Sequence, residues 1–378
     1  MKLPQLRGND VPHYIKPHLS SQQQAALLRQ RGMQLDEGTC LFALGQIGYH
    51  RLSGYWYPYR VVDRAASSRE GRPVRAADVS AGTDLGQVLR VYEFDRKLKL
   101  LTMDAIERIE VAVRVKVTDV LGRRGPFAHL DPRHLEKRFC MPGQGRPSRH
   151  SGWITKLRGH QARSAEEYVK HYGKKYGGDL PIWAALEVVD FGALSVLFQG
   201  LKRRDRDAIA FQLGAVDRSG AGDGSVLANW LRTLNLARNT CAHHARLWNR
   251  HFTDTIRVSA LHGIKELEHL ADLEHRDRAR FYPALMILWF LMEKVSMDDA
   301  WNAELVDLLC GFPADGVVSL ADMGFPVGWE RQMQSPRLWV PGNDLTGIPP
   351  MRPGNAAALL ADAASVRDDD VGDPWELA

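Results

Sequence analysis

One long run of helical periodicity, from about Asp84 to Leu121, constrains the fold of this 378-residue chain more than any other stretch. Apolar residues in its second half recur at the spacing of a single buried helix face. These residues are Ile106, Ile109, Val113, Val117 and Leu121. Strand-like alternation is scarce in the rest of the chain. The sequence therefore predicts a mostly helical, all-α fold.

Cap and breaker residues place the other predicted helices. Ser20 and Ser21 can cap a helix from Gln22 to Arg31, which Gly32 ends. Further helices are predicted over 36–48, from Leu180 onwards through 198, over 205–213, from Ser225 onwards, and over 256–270, 276–297 and 299–309. The apolar run from Phe281 to Met292 is shorter than the ~20 residues of a membrane span. It predicts a central, buried helix instead.

Composition narrows the class of protein. Hydrophobic residues make up 44% of the chain, enough for a sizeable core, and the net charge of +5 is compatible with nucleic acid without demonstrating it. The four cysteines lie far apart and form no Cys-x-x-Cys, which argues against a disulfide scaffold or a zinc ribbon. The N-terminus has no apolar segment typical of a signal peptide. We expect a soluble, cytoplasmic protein.

Shifts in composition predict four regions. Residues 1–83 form an N-terminal helical and aromatic region, in which 63–83 is rich in Arg, Ser, Ala and Gly and indicates a mobile linker or insertion. Residues 84–310 form a helical core with a basic insertion at 129–178, of which 129–165 is rich in Pro and Gly. Residues 311–340 form a C-terminal packing segment. Residues 341–378, rich in Gly, Pro, Ala and Asp, form a disordered or loosely attached tail.

The run from Arg238 to His244 (RNTCAHH) places an arginine five residues before one histidine and six before another. A cation and a group that titrates near neutral pH, held close together, can act on a phosphodiester without a metal. Five steps along a straight helix turn the chain by roughly 140° from the starting direction. Arg238 and His243 can therefore meet at one site only if the helix bends or ends near 239–242, or if they reach it from two sides. We expect a distorted helix end at this motif.

Three further sets of residues each leave two interpretations open. Basic residues between 146 and 175 either follow a phosphate backbone or form a solvated helix face: Arg146, Arg149, Lys156, Arg158, Lys170, Lys174 and Lys175. Arg51, Tyr55 and Trp56 either stack bases and hold phosphates, or form an aromatic corner on the core. Glu107, Glu110 and Arg114 either make an exposed ion-pair set or face a cleft.

Several stretches together resemble one family. They are Tyr49–Trp56 (YHRLSGYW), Phe94–Lys99 (FDRKLK), Ile109–Arg114 (IEVAVR), His171–Tyr176 (HYGKKY), Leu180–Trp183 (LPIW), Glu187–Gly192 (EVVDFG), Ala237–Asn249 (ARNTCAHHARLWN) and Met323–Pro326 (MGFP). In this order, over roughly residues 20–340, they resemble the Abi-like proteins of bacterial abortive-infection systems, the AbiD/AbiF group, whose core is a HEPN domain. The resemblance implies a HEPN-type antiparallel helical bundle with an N-terminal helical extension and an irregular C-terminal segment.

The resemblance also implies roles for individual residues. Arg238 and His243 match the catalytic Arg-x4-6-His motif, His244 also falls within its spacing, and Asn239 matches the polar residue after the arginine. Glu110 and Arg114 are carried over as supporting residues, and Arg246 belongs to the basic surroundings of the motif. We assign one copy of the family motif to the chain, at Arg238 and His243. The two-domain cleft of the family then requires a homodimer.

Two functions follow as expectations. The first is a metal-independent, toxin-like endoribonuclease of phage defence that needs no cofactor and cleaves RNA by attack of its own 2′-OH. The second is a non-catalytic HEPN module that binds a structured or non-coding RNA. A weaker third option is a scaffold whose dimer surface is itself the function. None of these functions involves a membrane.

Overall fold

The structure, a computed structural model, describes residues 16–71, 73–253, 255–257, 261–297 and 300–333. It confirms the predicted all-α class, because helices dominate and the sheet found within these ranges has two strands. No helix in the described ranges is long and apolar enough to cross a bilayer. The predicted tail at 341–378 lies outside the described residues.

The chain divides into two compact units. The first comprises Met1–Arg96 and Phe312–Ser319, and the second comprises Lys97–Gly311 and Leu320–Ala378. The helices of the N-terminal part are α1 (Ser21–Gln30), α2 (Glu37–Gln46), α3 (Tyr49–Trp56), α4 (Arg64–Glu70) and α5 (Leu85–Gly122). The strands are β1 (Arg60–Val62) and β2 (Arg75–Val79).

The remaining helices follow α5 in the chain. They are α6 (Lys137–Cys140), α7 (Arg149–Arg163), α8 (Glu167–Tyr176), α9 (Ile182–Val188), α10 (Phe191–Gly200), α11 (Arg203–Gln212), α12 (Gly224–Ala242), α13 (His275–Arg278), α14 (Tyr282–Val295) and α15 (Ala300–Cys310). Short 3₁₀ helices cover Tyr57–Tyr59, Pro132–His134, Lys265–Ala271, Leu320–Met323 and Trp329–Met333.

In the first unit, local capping chemistry sets α1 where the sequence predicted it. The Ser20 hydroxyl accepts from the Gln23 amide and the Gln23 side chain accepts from the Ser20 amide, forming a capping box. Gly32 follows the helix with a φ of 89°, so the predicted stop is confirmed. Inside the same unit, the Tyr55 hydroxyl donates to the buried Asp95 carboxylate at 2.6 Å.

Of the two interpretations of residues 63–83, a mobile linker or an insertion, the mobile linker is wrong. The segment carries α4 and β2, and β2 pairs antiparallel with β1. The Arg75 guanidinium adds hydrogen bonds to the carbonyls of Pro58 and Arg60, at 2.8 and 2.6 Å. The two strands are short and largely exposed, so they lack the alternation of a buried strand face.

The core of the second unit is built around α14. Every residue of this helix from Tyr282 to Met292 is buried, which confirms the predicted central helix. Helix α12 packs against α10, α11 and α14, and the rings of Trp230 and Phe290 meet edge-on with centroids 5.8 Å apart. The predicted core-side residues of α12 are all buried: Val226, Leu227, Trp230, Leu231 and Leu234.

Three predicted elements in the second unit differ from the structure. The helix expected over 256–270 is replaced, in its described part, by irregular chain and the 3₁₀ helix ending at Ala271. There a Cβ on Gly263 would lie 2.2 Å from the Asp217 carbonyl oxygen, so the backbones meet too closely for a regular helix. The helix expected over 276–297 is α13 plus α14, since Pro283 sits in the first turn of α14.

The third difference lies in the predicted basic insertion. Its segment 129–165, interpreted as loop-rich, contains the 15-residue α7. This helix buries His150, Trp153 and Leu157, and the Trp153 indole donates to the Ala193 carbonyl of α10 at 2.9 Å. Prolines and glycines therefore lie in the segment before α7, and α7 itself is an amphipathic helix that packs on the core.

Two neighbouring arginines at the end of α5, Arg123 and Arg124, form ion pairs that differ in burial, and this difference can be tested. Arg124 binds Asp205 through two hydrogen bonds of 2.8 and 2.5 Å, and the Asp205 side chain is 9% exposed. Asp205→Asn should lower the free energy of unfolding by about 2–3 kcal/mol, because it leaves a partly buried guanidinium uncompensated. Urea denaturation of the full-length protein measures this change.

The matched control is Asp119→Asn. It removes the partner of Arg123, in an ion pair whose Asp119 side chain is 50% exposed. This variant should cost less than about 0.5 kcal/mol. Equal losses from the two variants would contradict the described burial.

Candidate active site

The predicted motif lies at the C-terminal end of α12. Asp223 begins the helix by accepting hydrogen bonds from the Ser225 and Val226 amides, and regular helix ends at Ala242. His243 is the C-cap residue, with φ −87° and ψ 11°. The expected helix end at the motif is therefore confirmed.

The backbone at this helix end forms a Schellman motif, with a histidine where glycine is usual. The Ala245 amide donates to the Thr240 carbonyl at 3.0 Å, and the His244 amide donates to the Cys241 carbonyl at 2.9 Å. His244 has a φ of 54°, in the left-handed region that costs a non-glycine residue roughly 1 kcal/mol. The backbone is thus strained within the motif itself.

Arg238 lines a cavity of about 530 Å³, together with residues of α5. The α5 residues at this cavity are Met103, Asp104, Ile106, Glu107, Glu110, Val111 and Arg114. Within the described chain, the Arg238 guanidinium makes one hydrogen bond, to the Asn239 side-chain oxygen at 3.2 Å. A half-buried cation therefore faces a cavity large enough for part of a nucleotide.

Glu110 brings a carboxylate into the same cavity, and its side chain is only 13% exposed. Burial raises the pKa of Glu110 above its ordinary value, and the charges of Arg114 and Arg238 counter only part of that rise. Glu110 and Arg114 also share a direct ion pair. The cleft-facing interpretation of these two supporting residues thus fits their burial better than an exposed ion-pair set.

Arg114 is fixed on three sides. Its guanidinium binds Glu110 on its own helix, the Val189 carbonyl at 2.9 Å and the Glu187 carboxylate at 3.3 Å. The helix predicted to continue from Leu180 through 198 breaks at Val189–Asp190, and the carbonyl at this break accepts from Arg114. Arg114 therefore ties α5 to the α9–α10 junction.

Asp190 is a part of this region that the sequence prediction missed. Its carboxylate N-caps α10 at the Ala193 amide (2.7 Å), binds the Lys156 ammonium at 2.8 Å and lies 3.7 Å from His160 Nε2. Burial alone would raise the pKa of Asp190, but the hydrogen bonds from Lys156 and Ala193 outweigh it and hold the pKa below its ordinary value. An Asp before Phe-Gly is a cap signal, so the position was visible as a helix start.

The two histidines of the motif lie outside this cavity lining. His243 and His244 are both exposed at the helix end, whereas Arg238 faces α5. The described chain shows no hydrogen bond between Arg238 and either imidazole. This separation follows from the turn of about 140° over five helical residues. A single copy therefore presents the guanidinium and the imidazoles on different sides of α12.

The predicted RNA-contacting residues differ in their exposure and in the side chains that they contact. All seven between 146 and 175 are exposed. On α7, Lys156 binds Asp190 and Arg158 lies 3.6 Å from Asp179. Arg149 donates to Gln199 at 3.0 Å. On α8, Lys170 and Lys174 are one turn apart, and Lys175 lies next to them.

The rest of the predicted RNA-contacting set consists of four residues. Arg246 is half-buried, with its guanidinium 5.9 Å from the centre of the Trp248 ring. In the first unit, Arg51 is exposed, but Tyr55 and Trp56 are each 1% exposed. A ring buried this deeply offers no face for a base, so the base-stacking prediction for Tyr55 and Trp56 is corrected in favour of the aromatic corner.

Comparison with known families shows which family the chain resembles. The model of the family described as Abi-like protein matches residues 43–249, more than half of the chain, from α2 through the motif at the end of α12. No curated protein and no solved structure was found to match.

Within the described ranges, no group of three or more His, Cys, Asp or Glu side chains is placed to hold a metal ion.

Backbone strain at His244 can be measured with two variants that both remove its side chain. His244→Gly should be more stable than His244→Ala by about 1 kcal/mol, because glycine adopts positive φ without steric cost. Thermal unfolding with a linked urea series measures the difference.

Ala242, the last helical residue, supplies the control, because there glycine should be less stable than alanine. Ala242→Gly should lower stability by about 0.5–1 kcal/mol, since Ala242 is the last helical residue. If alanine proved as stable as glycine at position 244, the left-handed backbone there would be wrong.

Proposed function

The chain belongs to the Abi-like protein family, and we propose that it is a metal-independent endoribonuclease of a bacterial abortive-infection system. It would work in the cytoplasm, halting growth by cutting RNA when infection triggers it. A HEPN-type bundle of the AbiD/AbiF group would supply the scaffold. The observation that carries the proposal is the cavity in which Arg238 faces Glu110 and Arg114, beside a helix end that presents two histidines.

The residues supply the groups that RNA cleavage needs. RNA carries its own nucleophile, so the reaction requires a proton acceptor, a proton donor and compensation of charge on the phosphate. The 2′-oxygen attacks phosphorus as an imidazole of His243 or His244 takes its proton. The bond from phosphorus to the 5′-oxygen breaks, and that oxygen is protonated as it leaves. The products are a 2′,3′-cyclic phosphate and a 5′-hydroxyl.

Arg238 has the matching electrostatic role. Its guanidinium stays charged at any working pH and can hold two phosphate oxygens. Asn239 orients it through the 3.2 Å hydrogen bond. Glu110 and Arg114 support it: the Glu110 carboxylate is near enough for the charge of Arg238 to oppose part of the burial-driven rise in its pKa. Arg246 adds positive charge after the motif.

A homodimer would bring the separated groups together. Val111, at the cavity, and Val115, one turn later on α5, are 52% and 63% exposed. Burying these side chains against a second copy is favourable. With the α12 ends on the same dimer face, the histidines of one copy would approach the Arg238 cavity of the other. In such a composite site, the guanidinium and the imidazole would meet although they lie on different sides of α12 within one copy.

A second candidate is a non-catalytic RNA-binding module. The exposed lysines of α8 (170, 174 and 175) favour it, because ammonium groups along one helix can follow a phosphate backbone. In this alternative His243 has no chemical role, and RNA affinity depends on the basic residues alone.

The test compares growth and total RNA in cells expressing wild type, Arg238→Ala, His243→Ala and His244→Ala. Arg238→Ala and one or both histidine variants should lose toxicity and lower RNA cleavage by at least about 100-fold. His262→Ala, an exposed histidine away from the motif, should behave as wild type.

The alternative module gives a different pattern. If all histidine variants keep their effect while a Lys170→Ala, Lys174→Ala double variant weakens RNA binding and its salt dependence, the nuclease is excluded. Unfolding curves of all variants show whether each protein is folded.

A further inference from the structure

A second polar cavity lies where α7 turns into α8, opposite the end of α9. Its volume is about 530 Å³. The side chains that matter for its chemistry are His160, Arg163, Ser164, Glu166, Tyr168 and Glu187. This lining is mostly polar and combines cations, carboxylates and an aromatic ring, which is typical of a specific ligand site.

This cavity adjoins the Arg238 cavity through one side chain. Arg114 lines the Arg238 cavity. The same guanidinium binds Glu187, which lines the second cavity, at 3.3 Å, and the Val189 carbonyl at 2.9 Å. The two cavities are therefore separated by little more than the Arg114 guanidinium and its partners. A polymer bound at Arg238 can place a neighbouring unit in the second cavity.

Two charged groups in the second cavity form no ion pair within the part of the chain that the structure describes. Glu166 occupies the N-cap position of α8, but its side chain caps no amide. Its backbone amide donates to the Ser164 hydroxyl at 3.3 Å, and its carbonyl accepts from the Lys170 amide at 3.3 Å. Among the described residues, neither the Glu166 carboxylate nor the Arg163 guanidinium has an ion-pair partner. As far as the described ranges go, a ligand can therefore contact both groups without breaking an ion pair.

Tyr168 places an aromatic ring beside these carboxylates. Burial raises the pKa of Tyr168, the charges of Glu166 and Glu187 add to the rise, and Arg114 opposes it. The Tyr168 side chain is thus within electrostatic range of both carboxylates and of the guanidinium that borders the Arg238 cavity. A planar ring and an uncommitted carboxylate are the two elements that recognise an unstacked base.

We propose that the cavity between α7, α8 and the end of α9 binds the base next to the scissile phosphate and selects guanine, with Glu166 as the selecting carboxylate. Among the four RNA bases, only guanine presents two adjacent N–H donors, at N1 and N2, that one carboxylate can accept together. Adenine and cytosine present a ring-nitrogen acceptor at the matching position, which a carboxylate repels. The inference rests on the proposed function, since it deepens the specificity of that site.

The chemistry favours a base over a bare phosphate. The cavity lining holds one arginine against two glutamates, so a phosphate there would meet as much repulsion as attraction. A neutral base with a donor edge meets no such repulsion. Glu187 already shares Arg114, which leaves Glu166 as the carboxylate open to the base.

Calorimetric titration of the full-length protein with guanosine 3′-monophosphate, the three other nucleoside 3′-monophosphates and inorganic phosphate tests the proposal. Guanosine 3′-monophosphate should bind at least about tenfold more tightly than the others. Glu166→Gln should remove that preference. Glu167→Gln, an exposed neighbour outside the cavity lining, should keep it.

The outcomes separate the base site from the nuclease. Equal affinities for all nucleotides, or phosphate binding as tightly as any nucleotide, would overturn guanine selection. Guanine preference retained in Glu166→Gln would overturn the role of that residue. If the preference depends on Glu166 but no RNA is cut, the base site stands and the proposed ribonuclease fails. In an active protein, mapped cleavage ends should lie next to guanine and lose this bias in Glu166→Gln.

Discussion

The Arg114 guanidinium is the contact on which the candidate site depends. It holds Glu110 on α5, the Val189 carbonyl and the Glu187 carboxylate at once. Because the chain at Val189 leaves α9 in an extended conformation, its carbonyl is free to accept. Without Arg114, the Glu110 carboxylate and the carbonyl of the buried Val189 would lose their common partner. The positions of Glu110 beside Arg238, and of the second cavity behind it, follow from this bridge.

The end of α12 imposes the other constraint. A helix that ended on glycine would relieve the backbone strain, yet histidine occupies the left-handed position here. The strain is maintained by packing around the helix end, where Leu247 and Trp248 are fully buried. Positions that keep an unfavourable backbone are often functional sites. A site completed by a second copy, as proposed above, would account for both the strain and the separation of Arg238 from His243.

The fold was predictable wherever a periodic apolar face or a cap residue marked it. Ser20 fixed α1, and the apolar run of α14 identified the centre of the second unit. The hairpin of β1 and β2 was not predictable, because short exposed strands carry no alternation. In the site, Arg238 and Glu110 were visible as motif residues. The link from Glu110 to Glu187 through Arg114, and the place of His160 near Asp190, depend on how distant helices pack. Spacing along one helix does not encode this packing.

The central claim is that a guanidinium and an imidazole at the end of α12 act on RNA through its 2′-hydroxyl. The most direct measurement is incubation of the purified protein with RNA in EDTA, followed by analysis of the product ends. The account predicts 2′,3′-cyclic phosphates and 5′-hydroxyls, formed without divalent metal. Products with 3′-hydroxyls and 5′-phosphates, or cleavage abolished by EDTA, would contradict it.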